Sequence, residues 1–123
     1  MSVAQVANGL VDLCRKGNFL GAVERYYARE VHSVEPSATA HVPAELVGID
    51  LVRAKNEWWA KSYEVHHYSV TGPFISTDGC FAVHFAFDVT CRHTGRRERM
   101  TEMALYTVEA DRITREEFFY APS

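Results

Sequence analysis

Histidines and carboxylates are the residues of this chain that could do chemistry without a cofactor. His84 and Asp88 stand four residues apart in the segment Phe81 to Val89, where odd positions are large and apolar and even positions are small or polar. Such period-two alternation marks a β-strand with two different faces. Four residues of strand span roughly 13 Å, so the two side chains cannot hydrogen-bond each other. Each needs a partner on a neighbouring strand, and Glu102 is a reasonable one for His84. Because Phe81, Val83, Phe85 and Phe87 claim the core, the His84/Asp88 face is expected outside, against a second subunit. His66 and His67 are adjacent in a strand and must point to opposite faces. Whichever faces the interior is a candidate base, because imidazole titrates near neutral pH; two hydrogen-bonded structural histidines are the plainer alternative.

Glu102 shares a strand face with Met100, Ala104 and Tyr106, and Glu116 shares one with Phe118 and Tyr120. Carboxyls among apolar neighbours are unusual, since burying a charge is costly unless it is paired. A hairpin centred on Ala110-Asp111 would set Glu102 against Phe119 and Glu116 against Leu105, keeping the two acids from direct opposition. Trp58 and Trp59 cannot both point inward from one helix; one is expected to close the core and the other to wall a cavity or meet a partner. The six histidines form no HxH or HExxH pattern, with His41 and His93 in expected loops, so no metal is expected. No glycine-rich phosphate loop or GxSxG elbow is present, and nucleophilic catalysis has no support.

The elements that position these residues change character midway. Val3, Val6, Ala7, Leu10 and Cys14 recur at helical spacing up to Gly17. Asn18 can cap a second helix with Phe19, Ala22, Val23 and Tyr26 on its stripe. A short strand is expected over Val31 to Glu35 and a loop over Pro36 to Glu45. A third helix follows from about Asp50 to Ser62, with Leu51, Ala54 and Trp58 on one stripe and Val52 and Trp59 beside it. Strands are then expected over Glu64 to Val70, ended or bent by Gly72-Pro73, then over Phe81 to Val89, Glu98 to Val108 and Arg112 to Tyr120. Asp78-Gly79, Thr94-Gly95 and Ala110-Asp111 supply the turns. The pattern implies one α+β domain over residues 1–123, with three N-terminal helices packed on a curved antiparallel sheet. That sheet forms an open cone with an internal pocket.

A chain of 123 residues with 47% hydrophobic and 24% charged residues is ordinary for a soluble globular protein. Net charge −3 argues against nucleic acid as a partner, and Arg96, Arg97 and Arg99 read as a solvated hairpin end. Cys14, Cys80 and Cys91 lack CxxC spacing, and Cys14 reads as a packing thiol. No leader and no membrane-length apolar run is visible, so a cytoplasmic location is expected.

The order of elements resembles the nuclear transport factor 2-like superfamily, whose α+β cone is shared by ketosteroid isomerase, scytalone dehydratase and the SnoaL-like polyketide cyclases. The resemblance covers essentially the whole chain. It is carried by Gly48, Trp58-Trp59, Glu64-Val65-His66, Gly72-Pro73-Phe74 and Phe81 to Thr90. Met103 to Val108, Asp111-Arg112-Ile113 and Glu116 to Tyr120 complete it. It is most similar to the small bacterial SnoaL-like proteins. The isomerase site combines a carboxylate base with an oxyanion hole of a tyrosine and a protonated aspartic acid. The resemblance puts that acid at or beside Met103, with Glu102 its neighbour; only a bulge would bring Glu102 to the same face. The base would fall near Glu35, and Tyr26 or Tyr27 would supply the phenol. A Δ5-3-ketosteroid isomerase is not supported, and a related acid–base reaction stays open.

The resemblance favours His66 as base or acid, with Glu35, Glu102 and Glu116 in support. Tyr26, Trp58, Trp59, Met103 and Phe119 are the expected ligand contacts. The function implied is a cofactor-independent isomerase, cyclase or dehydratase acting on a small hydrophobic carbonyl compound. The alternative is a non-catalytic ligand-binding or dimeric interaction module of the same fold. A homodimer through the outer sheet face is expected on either view.

Overall fold

The computed structural model describes residues 1–40 and 42–121; His41 lies outside the described residues. Three helices, α1 (Val3–Arg15), α2 (Phe19–Tyr26) and α3 (Ile49–Ser62), combine with six strands. These are β1 (Tyr27–Val34), β2 (Glu45–Val47), β3 (Tyr63–Ile75), β4 (Cys80–Cys91), β5 (Arg97–Glu109) and β6 (Arg112–Phe119). Ser2 and Gln5 close a reciprocal capping box on α1. The Asn18 side chain accepts from the Gly21 amide and starts α2 within three residues of the end of α1.

The strands form one sheet in the order β2-β1-β6-β5-β4-β3. From β3 to β6 it is the expected antiparallel meander. The β1–β6 pair is parallel, which corrects the expectation of a purely antiparallel sheet. The reason is topological: the chain leaves β1, builds β2, α3 and three strands, and returns beside β1 in the same direction. Part of the expected loop also pairs with β1, as the three-residue β2. Gly72-Pro73 does not end β3, because the strand absorbs the dipeptide as a register shift between Thr71 and Phe74. A second register shift, between Thr107 and Val108, sets Glu116 opposite Tyr106 rather than the expected Leu105.

Odd positions of β4 face the helices. Phe81, Val83, Phe85, Phe87 and Val89 join Val6, Leu10 and Val11 of α1 and Val23 of α2 in the core. On α3 the buried stripe is not the expected Leu51–Ala54–Trp58 line, since Leu51 is 51% exposed while Val52 is fully buried. The inward line is Val52, Lys55, Asn56 and Trp59, at helical spacing. Cys14 is buried as expected, and burial pushes its thiol up to about 12. Among the described residues no helix is long and apolar enough to cross a membrane.

Candidate active site

Beneath α2 and α3 the concave face of the sheet bounds a cavity of about 830 Å³, within the size range of small-molecule sites. Its wall is mainly apolar, with Phe19, Trp59, Tyr63, Tyr68, Phe85 and Phe118 all contributing rings. Polar groups converge at one place on this wall, and each arrives there for a definable reason. Alternation on β1 sends Ser33 and then Glu35 inward, while helical spacing on α3 turns Lys55 towards them. On β5, Glu102 lies directly across from Phe85 of β4, on the core side. The bulge in the β5–β6 hairpin delivers Glu116 beside Tyr106.

Glu116 is 2% exposed, and its carboxylate is fully engaged. The Tyr27 hydroxyl donates to Oε1, and the Ser33 hydroxyl donates to Oε2 at 2.7 Å. Lys55 Nζ donates to Ser33 Oγ and to Glu35 Oε1 at 3.2 Å, and approaches Glu116 Oε2 to 3.8 Å. It also lies over the Phe118 ring, 4.9 Å from the centroid. One ammonium therefore serves two carboxylates in a setting where an unpaired charge would be expensive. Burial, and then the negative Glu116, push the Tyr27 phenol well above its ordinary range; the same two causes act on Tyr106. Both phenols thus remain protonated, and Tyr27 spends its proton on Glu116.

Glu102 differs from its two neighbours. Among the described residues nothing hydrogen-bonds or ion-pairs with its carboxyl. Burial raises it from 4.5 to about 8, with further increments from Glu35 and Glu116 and only partial relief from Lys55. At neutral pH it is a carboxylic acid, able to donate its proton into the cavity. Glu35 has one oxygen committed to Lys55; the other, Oε2, is buried and accepts no hydrogen bond, although the Tyr120 phenol interacts with this carboxylate. Burial first, and then Glu35, push that phenol up as well.

The structure brings Glu35, Glu102 and Glu116 together, along with Trp58 and Trp59, which both line the cavity. It does not bring His66 there. His66 occupies the bulge between Val65 and His67, and its Nε2 meets Thr90 Oγ1 at 2.7 Å on the convex face. The expectation that His66 faces the cavity is corrected accordingly: Val65 pairs with the inward Val89, so His66 turns outward. The extra residue then sets His67 opposite Asp88 on that same outer face rather than on the opposite one. Met103 and Phe119 are paired with each other on the convex face, 37% and 48% exposed, and not on the cavity wall. Tyr26 is buried under α1, with its hydroxyl against Gly9, and the phenol that reaches the site belongs to Tyr27. His84 lies opposite Met103, so Glu102 is not its partner. Asp88 stays on the outer face, as expected, where Arg97 grips both its oxygens at 3.0 and 2.8 Å.

Lys55, Ser33, Tyr106 and Tyr120 are site residues that the sequence reading passed over. Lys55 had a legible signal, being the one cation on the line Val52–Asn56–Trp59. Ser33 and Tyr106 had only strand alternation, which does not distinguish a site from a core. Among the described residues no group of three His, Cys, Asp or Glu side chains is placed to hold a metal ion.

Residues 1–120 match a family model described as a SnoaL-like domain. No curated protein of assigned function matches the sequence. Among solved structures, a candidate SnoaL-like polyketide cyclase from Mesorhizobium loti is 39% identical, with 98% of this chain and 100% of that one covered and a TM-score of 0.91. A candidate isomerase from Bacillus subtilis shares the fold at 15% identity, over 99% of this chain and 91% of that one, with a TM-score of 0.80. A ketosteroid isomerase-like protein from Catenulispora acidiphila, crystallised with trimethylamine, shares it at 14% identity, over 83% and 75%, with a TM-score of 0.67.

Proposed function

The chain belongs to the SnoaL-like domain family, and from that premise we propose that it is a cofactor-independent acid–base enzyme acting on a small hydrophobic carbonyl compound. One observation carries the reading: Glu102 is an unpartnered carboxyl inside an aromatic cavity, protonated at neutral pH beside a lysine-bridged pair of carboxylates. Such a group can donate to a carbonyl oxygen as negative charge develops there, the role for which a buried acid is more effective than a solvated one. Glu35 Oε2 is the matching base, since it is the oxygen of the Lys55-bound carboxylates that accepts no hydrogen bond. Glu116 is the anchor: with both oxygens bonded, it fixes Lys55 and Tyr27 and adds to the field that keeps Glu102 neutral.

The chemistry is a proton shift next to the carbonyl. Glu35 removes the α-proton, Glu102 hydrogen-bonds or protonates the oxygen, and return of the proton to another carbon isomerises the substrate or sets up ring closure or loss of water. A panel of cyclic ketones incubated with the protein in D₂O, read by mass spectrometry, tests this. Deuterium uptake α to the carbonyl is expected, with a loss of about 100-fold or more in Glu102→Gln. Absence of exchange, together with a Glu102 that titrates in the ordinary carboxyl range, would overturn the proposal.

The non-catalytic alternative has its own support, because Glu116 has both oxygens hydrogen-bonded and Glu35 has one held by Lys55. It predicts ketone binding without exchange. On either reading the convex face is proposed to meet a second copy of the chain. Met103, Leu105 and Phe119 form an exposed apolar patch there, at 37%, 36% and 48%. Light scattering at micromolar concentration is expected to give a dimer, and Phe119→Glu a monomer.

A further inference from the structure

A second polar feature of the cavity is separate from the Glu102 cluster. Trp58, Trp59 and Tyr63 meet at the end of α3 and the start of β3, all three half-buried and all on the cavity wall. Tyr63 stands nearly perpendicular to Trp58, at 87° and 6.5 Å between centroids. It lies 5.2 Å from Trp59 at a shallower 35°. Two aromatic walls thus form a corner open to the cavity. Glu98 of β5 adds a carboxylate to it: Glu98, Val89 and Val65 form one row across β5, β4 and β3, and Tyr63 is the next residue on that face of β3. Glu98 and Tyr63 are close enough for the carboxylate to act on the phenol.

The charge of the wall points the same way. Five glutamates line the cavity (35, 57, 98, 102 and 116) against Lys55 and Arg99, and Arg99 stands opposite the outward-facing Asp88. Lys55 is consumed by Glu35 and Ser33. The nearest cation to Glu98 is Arg96, whose contact of 3.9 Å is long and whose side chain is 77% exposed. Ring faces carry negative potential, so an aromatic corner closed by a carboxylate attracts a positive charge with a poorly hydrated surface. A neutral ligand would gain only apolar contact from this arrangement, and a carboxylate ligand would be repelled.

We infer that Trp58, Trp59, Tyr63 and Glu98 form a subsite for an alkylammonium group. Resting on the acid–base reading above, the substrate then carries an ammonium at one end and a carbonyl at the other. Glu98 and Glu102 are four residues apart on β5, so the two groups are separated by roughly 13 Å. An aminoalkyl ketone or aryl ketone of that length satisfies both ends.

The chain's two tryptophans are both in the corner, so intrinsic fluorescence reads the subsite directly. Tetramethylammonium chloride and the uncharged, similarly shaped tert-butanol are titrated at constant ionic strength. The cation is expected to give a saturable change at a concentration at least tenfold lower than the alcohol, and added NaCl should weaken it. Glu98→Gln should cost at least tenfold in cation affinity with the circular dichroism spectrum unchanged. Trp58→Leu, read through Trp59, should weaken it as well. Equal binding of cation and alcohol, or a folded Glu98→Gln protein with unchanged affinity, would overturn the inference. Glu102→Gln keeps the two proposals apart: it should abolish ketone exchange and leave tetramethylammonium binding within about twofold. In the unsubstituted protein, cation binding without ketone exchange would overturn the acid–base reading alone, and exchange without cation preference would overturn the subsite alone.

Discussion

Glu102 and Asp88 are carboxyls on adjacent strands of the same hairpin, and the sheet treats them in opposite ways. Glu102 faces the helices opposite Phe85, has no partner, and is raised to about 8. Asp88 faces outward opposite Arg99, is gripped by Arg97, and is held below its ordinary value by those hydrogen bonds. The two residues are separated by one strand and one face. Acidity here is set by which side of the pleat a residue occupies, because one side supplies water and arginine while the other supplies rings and more carboxylates. The same strands thus carry a solvated, ion-paired carboxyl on one surface and a desolvated, unpaired one on the other.

The largest expected difference between the faces lies in packing. Phe81→Ala, on the concave side at 1% exposure, should cost about 3–5 kcal/mol. Phe119→Ala, on the convex side at 48% exposure, should cost less than about 1 kcal/mol. Urea unfolding of the two variants checks the contrast, and comparable losses would show that the outer face is equally buried, as in a tight dimer.

Next in size is Lys55→Met. Its side chain is 12% exposed and its ammonium bridges Glu35 and Glu116, so removal strands one buried and one largely buried carboxylate at a cost of about 3 kcal/mol. The same change should raise Glu102 further, since Lys55 is the group that lowers it. Carboxyl infrared titration of the variant reads this, and a downward move would refute the assigned coupling.

The pH dependence should then separate the two carboxyls. For Glu102 the folded value lies above the unfolded one, so its stabilising contribution is full below about 4.5 and is lost as pH rises towards about 8. The loss should amount to about 2 kcal/mol, less than the full shift implies because the carboxyl meets cavity water. In Glu102→Gln that fall should vanish from thermal melts taken across the range. Asp88 has the opposite sign: its contribution is present at neutral pH and is lost only as pH falls through its depressed value. Being solvent-facing and paired on the surface, Asp88→Asn should leave Tm within measurement error at pH 7. A marked drop would mean that the Arg97 pair is buried by a partner.

Much of this architecture was legible in residue order. Phe81 to Val89 announced its own two faces, Asn18 announced a helix start, and Glu102 and Glu116 stood out as acids among apolar neighbours. These signals are local, arising from helical and strand periods and from capping groups within a few residues. The errors came where register or rotation about an axis decided the outcome. An extra residue in β3 set His66 and His67 on the same outer face, where strict alternation expects opposite ones. A bulge after Thr107 advanced Glu116 by one position to meet Tyr106. The buried line of α3 lay one residue further round than the aromatic pair suggested, which brought Lys55 inward and left Leu51 in solvent.

The sequence by itself therefore determined the helices, the meander, the identity of the core strand and the presence of three acids in need of an explanation. Only the tertiary structure decided that those acids share one cavity with one lysine, and that His66 and His84 stay outside it. The physical reason is that side-chain direction repeats over two or four residues and can be read locally. The meeting of β1, α3, β5 and β6 depends on a parallel pairing and two bulges, whose energies come from contacts far apart in the chain.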